Sequence, residues 1–325
     1  MKVAVMYATY GHWTQSLKYA FFKDQEIAYH FQPDLSNDPE SDFGLVPDRL
    51  ASMILRMNFP EIEIRKPDAN DEAYDLIVGS PPYVGFSRAN PKACPDHPLN
   101  MHTLNFFKWV VLNGPKHFLM EMVPGILDSQ DPSKGPGIFN QCLHLIGEDY
   151  RRDYAVMDAA EYGAAQTRKC LYVWGNRRDQ EPLESPLASL PKREFAPVGE
   201  VLPEELVKYW DTIKPDGRNL LSLTRKDGKP IAGAWGSLTP KKRDNRTLHR
   251  EGLMFTITST SVRDCLHYSS KRLLSIPELK LLMGFPIQYK LPVMNAGMAS
   301  KVIASGVDVR FASRLLDHIR TVLEA

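Results

Sequence analysis

The apolar run Tyr74-Asp75-Leu76-Ile77-Val78 leads without a break into Gly79-Ser80-Pro81-Pro82. Two consecutive prolines offer no backbone N–H and fix φ, so neither a helix nor a sheet ladder continues through them. The run is therefore a strand that must stop at the glycine. The same punctuation recurs along the chain. Val3 to Tyr7 reads as a short buried strand closed by a turn at Gly11, and Thr14 to Phe22 as a helix. Glu26 to Phe31 is a strand closed by Pro33-Asp34, and Thr103 to Leu112 a helix broken at Asn113-Gly114-Pro115. His117 to Met122 is a strand ended by Pro124-Gly125, followed by a helix at Phe139–Ile146 and strands near Tyr154–Asp158 and Cys170–Trp174. This alternation predicts an α/β fold, a mostly parallel sheet with helices on both faces.

From Asn176 the texture changes. Pro182, Pro186, Pro191, Pro197 and Pro203 punctuate the next stretch, and residues 216–265 are glycine-punctuated without a long amphipathic helix. Helical spacing returns at Ile276–Met283 and Phe311–Leu323. The expected layout is a core over 1–175, a loop-rich insert over 176–265, and a return to the core over 266–325. A length of 325 residues agrees with about two domains. No run approaches the roughly 18 apolar residues of a membrane span. Met1 to Ala8 lacks the basic start of a secretory signal, so a cytoplasmic, non-secreted protein with no membrane partner is expected. Cys94, Cys142, Cys170 and Cys265 lie far apart, which argues against a metal site or a disulfide framework.

The charge balance, 40 Lys and Arg against 39 Asp and Glu, hides two opposed regions. Between Asp24 and Asp75 there are 13 acidic residues against Arg49, Arg56, Arg65 and Lys66. Between Asp216 and Arg250 the sign reverses, with Arg218, Arg225, Lys226, Lys229, Lys241, Lys242, Arg243, Arg246 and Arg250 facing only three aspartates. A charge run by itself is a solvated face.

Ligands of open α/β sheets bind beyond the carboxyl ends of the strands. Three features stand there: the Gly11 turn, the loop Gly79–Asn90, and Glu121 at the end of an otherwise apolar strand. In the loop, the prolines leave their carbonyls free as acceptors, and Tyr83 and Phe86 supply aromatic surface. A buried acid such as Glu121 must find a partner and is then often functional.

Together these segments resemble the DNA cytosine-5 methyltransferases. Residues 7–12, Tyr-Ala-Thr-Tyr-Gly-His, resemble the family's Phe-x-Gly-x-Gly-Gly cofactor loop. Gly79–Asn90 is similar to its catalytic loop Gly-Ser-Pro-Pro-Cys-Gln-x-Phe-Ser-x-Ala-Asn. Glu121-Met122-Val123 resembles Glu-Asn-Val, and Tyr162–Cys170 resembles Tyr-Gly-x-x-Gln-x-Arg-x-Arg. Arg272–Glu278 with Met283-Gly284-Phe285-Pro286 resembles the segment that ends in Gln-Gly-Phe-Pro. The resemblance implies a Rossmann-like S-adenosylmethionine-dependent methyltransferase core with a smaller loop-rich target recognition domain. It implies S-adenosylmethionine as cofactor, double-stranded DNA as partner, no metal, and a prokaryotic or phage source within a restriction–modification setting. Ser80, Pro81, Tyr83, Glu121 and Arg168 are the implied catalytic residues. Tyr7, Ala8, Gly11, Asp34, Asp68 and Ser80 are implied at the cofactor, with Tyr7 near the adenine and Asp34 on the ribose hydroxyls. The basic tract, with Asn219, Arg225, Asn245 and Arg246, is implied in DNA contact.

Several positions depart from the family pattern. Tyr83 stands where the family has its nucleophilic Cys, Thr9 and His12 replace cofactor-loop glycines, Met122 replaces Asn, and Cys170 replaces Arg. A phenol titrates near about 10 and is a poor substitute for a thiolate. Ser80-Pro81-Pro82-Tyr83, however, resembles the tetrapeptide of amino-methyltransferases that act on cytosine N4. That resemblance implies transfer to the amino nitrogen of a flipped base without a covalent adduct. The alternatives are an inactive homologue that binds DNA in a regulatory role, and an RNA or modified-base substrate.

Overall fold

The computed structural model describes residues 1–20, 26–31, 48–65, 74–88, 90–91, 93–128, 137–202, 247–269 and 273–324. Contacts divide the chain into two compact units. One comprises Met1–Asp158, Lys169–Pro191 and Ala312–Ala325; the other comprises Ala159–Arg168 and Lys192–Phe311.

In the first unit the described strands are β1 (Lys2–Met6), β2 (Glu26–Phe31), β3 (Glu63–Arg65), β4 (Leu76–Gly79), β5 (His117–Met122), β6 (Tyr150–Asp158) and β7 (Lys169–Arg177). They form one sheet in the order β3-β2-β1-β4-β5-β7-β6. The pairs from β3 through β5 are parallel, and β7 runs antiparallel to both β5 and β6. β4 and β5 are buried at every residue. Successive strand residues face opposite sides, so burial of consecutive residues means that both faces are covered. The chain steps outward from β1 to β3 and then returns to the other side of β1 at β4. That reversal is the Rossmann-like switch point, where such folds hold ligands.

The helices of this unit are α1 (His12–Ala20), α2 (Asp48–Asn58), α3 (Met101–Asn113), the single turn α4 (Gly125–Asp128), α5 (Ile138–Leu145) and the short α6 (Pro186–Ser189). α3 stops where the sequence requires it. Gly114 takes a left-handed φ of 52°, and its N–H closes on the Val110 carbonyl at 2.9 Å. Phe106 and Phe107 of α3 meet Phe118 of β5 edge to face, with centroids 6.4 and 5.6 Å apart. Each buried ring contributes about 2–3 kcal/mol of apolar burial.

The second unit holds α7 (Val198–Val201), α8 (Ser261–Asp264), α9 (Ile276–Leu282) and α10 (Ala296–Ala304). The long α11 (Val309–Glu324) starts in this unit and ends in the first. α9 opens with a capping box: Ser275 N–H donates to Glu278 Oε2 at 2.7 Å, and Glu278 N–H donates to Ser275 Oγ. At the start of α11, Asp308 Oδ1 accepts from the N–H groups of Arg310 and Phe311, both at 3.1 Å.

The expected strands and helices recur among the described residues, and α2, β3 and α10 are added besides the single-turn helices. α2 carries Ala51, Ile54 and Leu55 buried at helical spacing inside what reads as an acidic stretch. β3 is only three residues long. α10 is built from Ala, Gly and Ser and is started by Asn295, whose side chain accepts from Met298 N–H at 2.9 Å. By contacts, residues 266–311 group with the second unit, and the return to the first begins at Ala312.

Candidate active site

The registers set the site. Met6 pairs with Gly79, and Gly79 with Met120. The residues that follow are Tyr7 and Ser80, each just past the end of its strand, and Glu121 within β5, so the three lie at the carboxyl ends of neighbouring strands. With strands about 4.8 Å apart, they span about 10 Å across the switch point.

Glycine is required at 79, because a Cβ there would run into the Met6 carbonyl and lie 2.9 Å from the Phe106 ring. Ser80, Pro81 and Pro82 are buried, while Tyr83 is half-buried and its ring packs on the core that includes Phe86, Met120 and Met122. The Phe86 N–H donates to the Tyr83 carbonyl at 3.0 Å. Asn90 ends the loop by donating from Nδ2 to the Val84 carbonyl at 3.0 Å. Gly85 lies so close to Asn100 and His97 that a side chain has no room there. Asn100 in turn donates to the Cys94 and Pro95 carbonyls at 3.0 and 2.9 Å. The loop is pinned at several points.

The β1–α1 loop takes left-handed φ at alternate residues, 53° at Tyr7, 43° at Thr9 and 79° at Gly11. Such a pattern turns successive N–H groups inward and is natural for glycine. In a β-branched residue such as Thr9 it is strained, by about 1–2 kcal/mol. The loop thus keeps a glycine-loop backbone after losing glycines. Strain of this kind persists where the surroundings impose it, typically at ligand sites. On this observation the loop fits a cofactor that needs close backbone approach.

Tyr7 packs into the core. Its ring is 1% exposed and meets His102 edge-on at 5.7 Å. Its hydroxyl donates to the His102 carbonyl at 3.0 Å, and burial pushes its phenol far up. These contacts anchor the Tyr7 end of the loop to α3. Ala8 is buried beside it, and the Gly11 N–H donates to the Ala8 carbonyl at 2.9 Å. Trp13, in the first turn of α1, donates its indole N–H to Ser80 Oγ at 2.8 Å.

Glu121 is fully buried, and neither carboxylate oxygen has a hydrogen-bond partner among the described residues. A carboxylate in that state costs several kcal/mol unless a donor arrives.

Arg168 belongs to the second unit. Its guanidinium is buried and donates to the Ile257 carbonyl at 3.2 Å and the Ala304 carbonyl at 2.7 Å. Next to it, Gln166 donates to Asp308 Oδ2 at 2.8 Å and accepts from the Ile257 N–H at 3.0 Å. Burial raises the Asp308 carboxyl above its ordinary range. These bonds make Arg168 a brace for the chain at Ile257 and Ala304.

The first unit therefore brings together Ala8, Gly11, Ser80, Pro81, Tyr83 and Glu121, with Tyr7 behind them. Asp34 and Asp68 lie outside the described residues, as do Asn219, Arg225, Asn245, Arg246 and most of the basic tract. Cys94 is exposed, and the other three cysteines are buried. Sequence reasoning missed Trp13 and His102, since nothing in the chain separates a site tryptophan from a core one.

Comparisons with known proteins agree with this architecture. The family described as C-5 cytosine-specific DNA methylase matches residues 47–321. The chain is 30% identical over 145 residues to the Type II methyltransferase M.AquIA of Picosynechococcus sp., covering 38% of this chain and 57% of that protein. It is 25% identical over 258 residues to M1.HphI of Haemophilus parahaemolyticus, covering 71% and 68%. With M.MspI of Moraxella sp it shares 23% identity over 285 residues, covering 87% and 62%. The chain thus spans between about half and two thirds of the length of such relatives. A crystal structure titled as a DNA modification methyltransferase encoded within an E. coli prophage superposes with a TM-score of 0.70 at 20% identity, covering 100% of both chains. The S. pombe Dnmt2 methyltransferase superposes at 0.63 and 14% identity, covering 100% of this chain and 98% of that one. At such identities the structures establish the fold alone. With the family match extending over well more than half of its length, the chain belongs to the C-5 cytosine-specific DNA methylase family and has the Rossmann-like fold of its methyltransferases.

Proposed function

We propose that this protein is a DNA cytosine methyltransferase that uses S-adenosylmethionine and acts on the exocyclic N4 amino group. The observation that carries the reading is the buried, unpartnered Glu121 carboxylate level with Ser80, beside a loop that has a phenol in place of a thiol. Gly11, Ala8, Thr9 and Ser80 would hold the cofactor, with Asp34 on the ribose and Asp68 near the adenine. When bound, S-adenosylmethionine supplies an electrophilic methyl group. Glu121 accepts an N–H from the edge of a flipped cytosine and takes up the proton that the amino nitrogen must lose. The Ser80 hydroxyl accepts the other amino hydrogen, with the Pro81 carbonyl beside it as a second acceptor, and so aims the nitrogen lone pair. Tyr83, half-buried and packed from behind, offers a ring for the base to lie against. No covalent adduct is required, so the absence of a nucleophile at 83 is no obstacle. Residues 1–175 and 266–325 make up the core in this reading, and 176–265 recognise duplex DNA through the basic tract.

The test uses unmethylated DNA and labelled S-adenosylmethionine, followed by digestion to nucleosides and mass spectrometry. N4-methylcytosine is the expected product, and 5-methylcytosine would overturn the assignment. A second reading, an inactive DNA-binding homologue, is favoured by the enclosed Tyr7 ring in the cofactor loop and the buried Trp13 just after it. It predicts DNA binding with no heat of S-adenosylmethionine binding in calorimetry.

A further inference from the structure

Trp13, in the first turn of α1, and Ser80, in the loop after β4, flank the switch point. Both are buried, at 2% and 6% exposure, and the indole N–H to Ser80 Oγ distance is 2.8 Å. The direction of this bond is unambiguous, because an indole nitrogen only donates. A hydroxyl oxygen has one hydrogen and two acceptor lone pairs. The indole occupies one lone pair, which leaves Ser80 a single free lone pair and its own O–H, both directed away from Trp13. Without the indole, the Ser80 hydroxyl could rotate about its Cβ–Oγ bond. In a dry interior such a bond is stronger than in water and holds its acceptor firmly.

The geometry points to Trp13 as a positioning residue. Its N–H fixes the rotation of the Ser80 hydroxyl so that the free lone pair meets the cytosine amino group, and it ties the start of α1 to the Ser-Pro-Pro-Tyr loop. Trp13 does not touch the reacting atoms; it acts through Ser80. The inference rests on the amino-transfer reading of Ser80 given above.

The test compares the full-length protein with Trp13→Phe, Ser80→Ala and the double variant. Trp13→Phe keeps an aromatic ring in the core and removes only the donor and the larger ring's edge. Losing one positioned hydrogen bond should lower kcat about fivefold to tenfold. The KM for DNA and the Kd for S-adenosylmethionine should stay within about twofold, and the double variant should be no slower than Ser80→Ala alone. A readout independent of turnover is the indole N–H resonance in a nitrogen-15 NMR spectrum, identified among five tryptophans by its loss in Trp13→Phe. Ser80→Ala should move this resonance upfield and speed its exchange with water. An unmoved resonance would overturn the inference, as would equal losses of kcat and cofactor affinity in Trp13→Phe, or additive effects in the double variant. Should the native protein transfer no methyl group to N4, the amino-transfer reading fails on its own, and the resonance still decides whether Trp13 holds Ser80.

Discussion

Replacing Glu121 with Gln should make the free protein more stable while it destroys activity. Glu121 is fully buried at the end of β5, and neither of its oxygens has a donor among the described residues. Removing one partner from a buried ion pair typically costs about 3–5 kcal/mol, because an uncompensated charge is left behind, and a carboxylate at position 121 has no donor among the described residues to compensate it. A buried amide without partners costs less, about 1–3 kcal/mol. The isosteric Glu121→Gln exchange should therefore stabilise the ligand-free protein by about 1–3 kcal/mol. For a chain of this size that corresponds to a rise in Tm of about 2–6 °C by calorimetry at neutral pH. The same exchange removes the acceptor for the base edge and the site that takes the amino proton. Methyl transfer should fall at least about 100-fold, the usual scale for a lost acid–base group. This opposition of stability and activity marks a functional site rather than a structural one. A Glu121→Gln variant that melts lower than the native protein and still methylates DNA would refute the reasoning.

Tyr83→Phe should retain most methyl transfer, because the ring rather than the hydroxyl supports the base, whereas Tyr83→Ala should abolish it in the same nucleoside assay. Tyr83→Cys should bring back 5-methylcytosine only if Tyr83 merely fills the family's thiol position. Thr9→Gly should relieve the left-handed strain at φ 43° and raise stability in urea by about 1 kcal/mol, with cofactor affinity equal or better. His117 stacks on Trp174 at 5.4 Å, and burial lowers its pKa to about 4, so the folded protein holds it neutral. The unfolded chain binds the proton more readily, near 6.5, so this contribution is fully present above about pH 6.5 and is lost as the pH falls toward 4. His117→Phe keeps the stack and should flatten the stability profile between those values.

The sheet was legible because its strands end on hard stops. Pro81-Pro82, Pro115 and Pro124 mark boundaries that the structure respects within a residue or two. The site loop was legible for the same reason: its prolines and glycines have few conformations. What escaped was set by tertiary contact. α2 hides its apolar stripe among charges, and α10 is too rich in small residues to show a clear periodicity. The antiparallel placement of β7 between β5 and β6 is a matter of topology that local spacing does not encode. Tyr7 and Arg168 were assigned by resemblance, and their partners, His102 and the Ile257 and Ala304 carbonyls, lie 95, 89 and 136 residues away. Separations of that size are invisible to local sequence patterns.

The central claim concerns which atom of cytosine receives the methyl group, and DNA tritiated at cytosine C5 tests it directly. Methylation at C5 replaces that hydrogen and releases tritium to water, whereas methylation at N4 leaves it in place. With labelled S-adenosylmethionine present, the structure predicts methyl groups incorporated into DNA with no matching release of tritium. Release of one tritium for each methyl group transferred would contradict the claim.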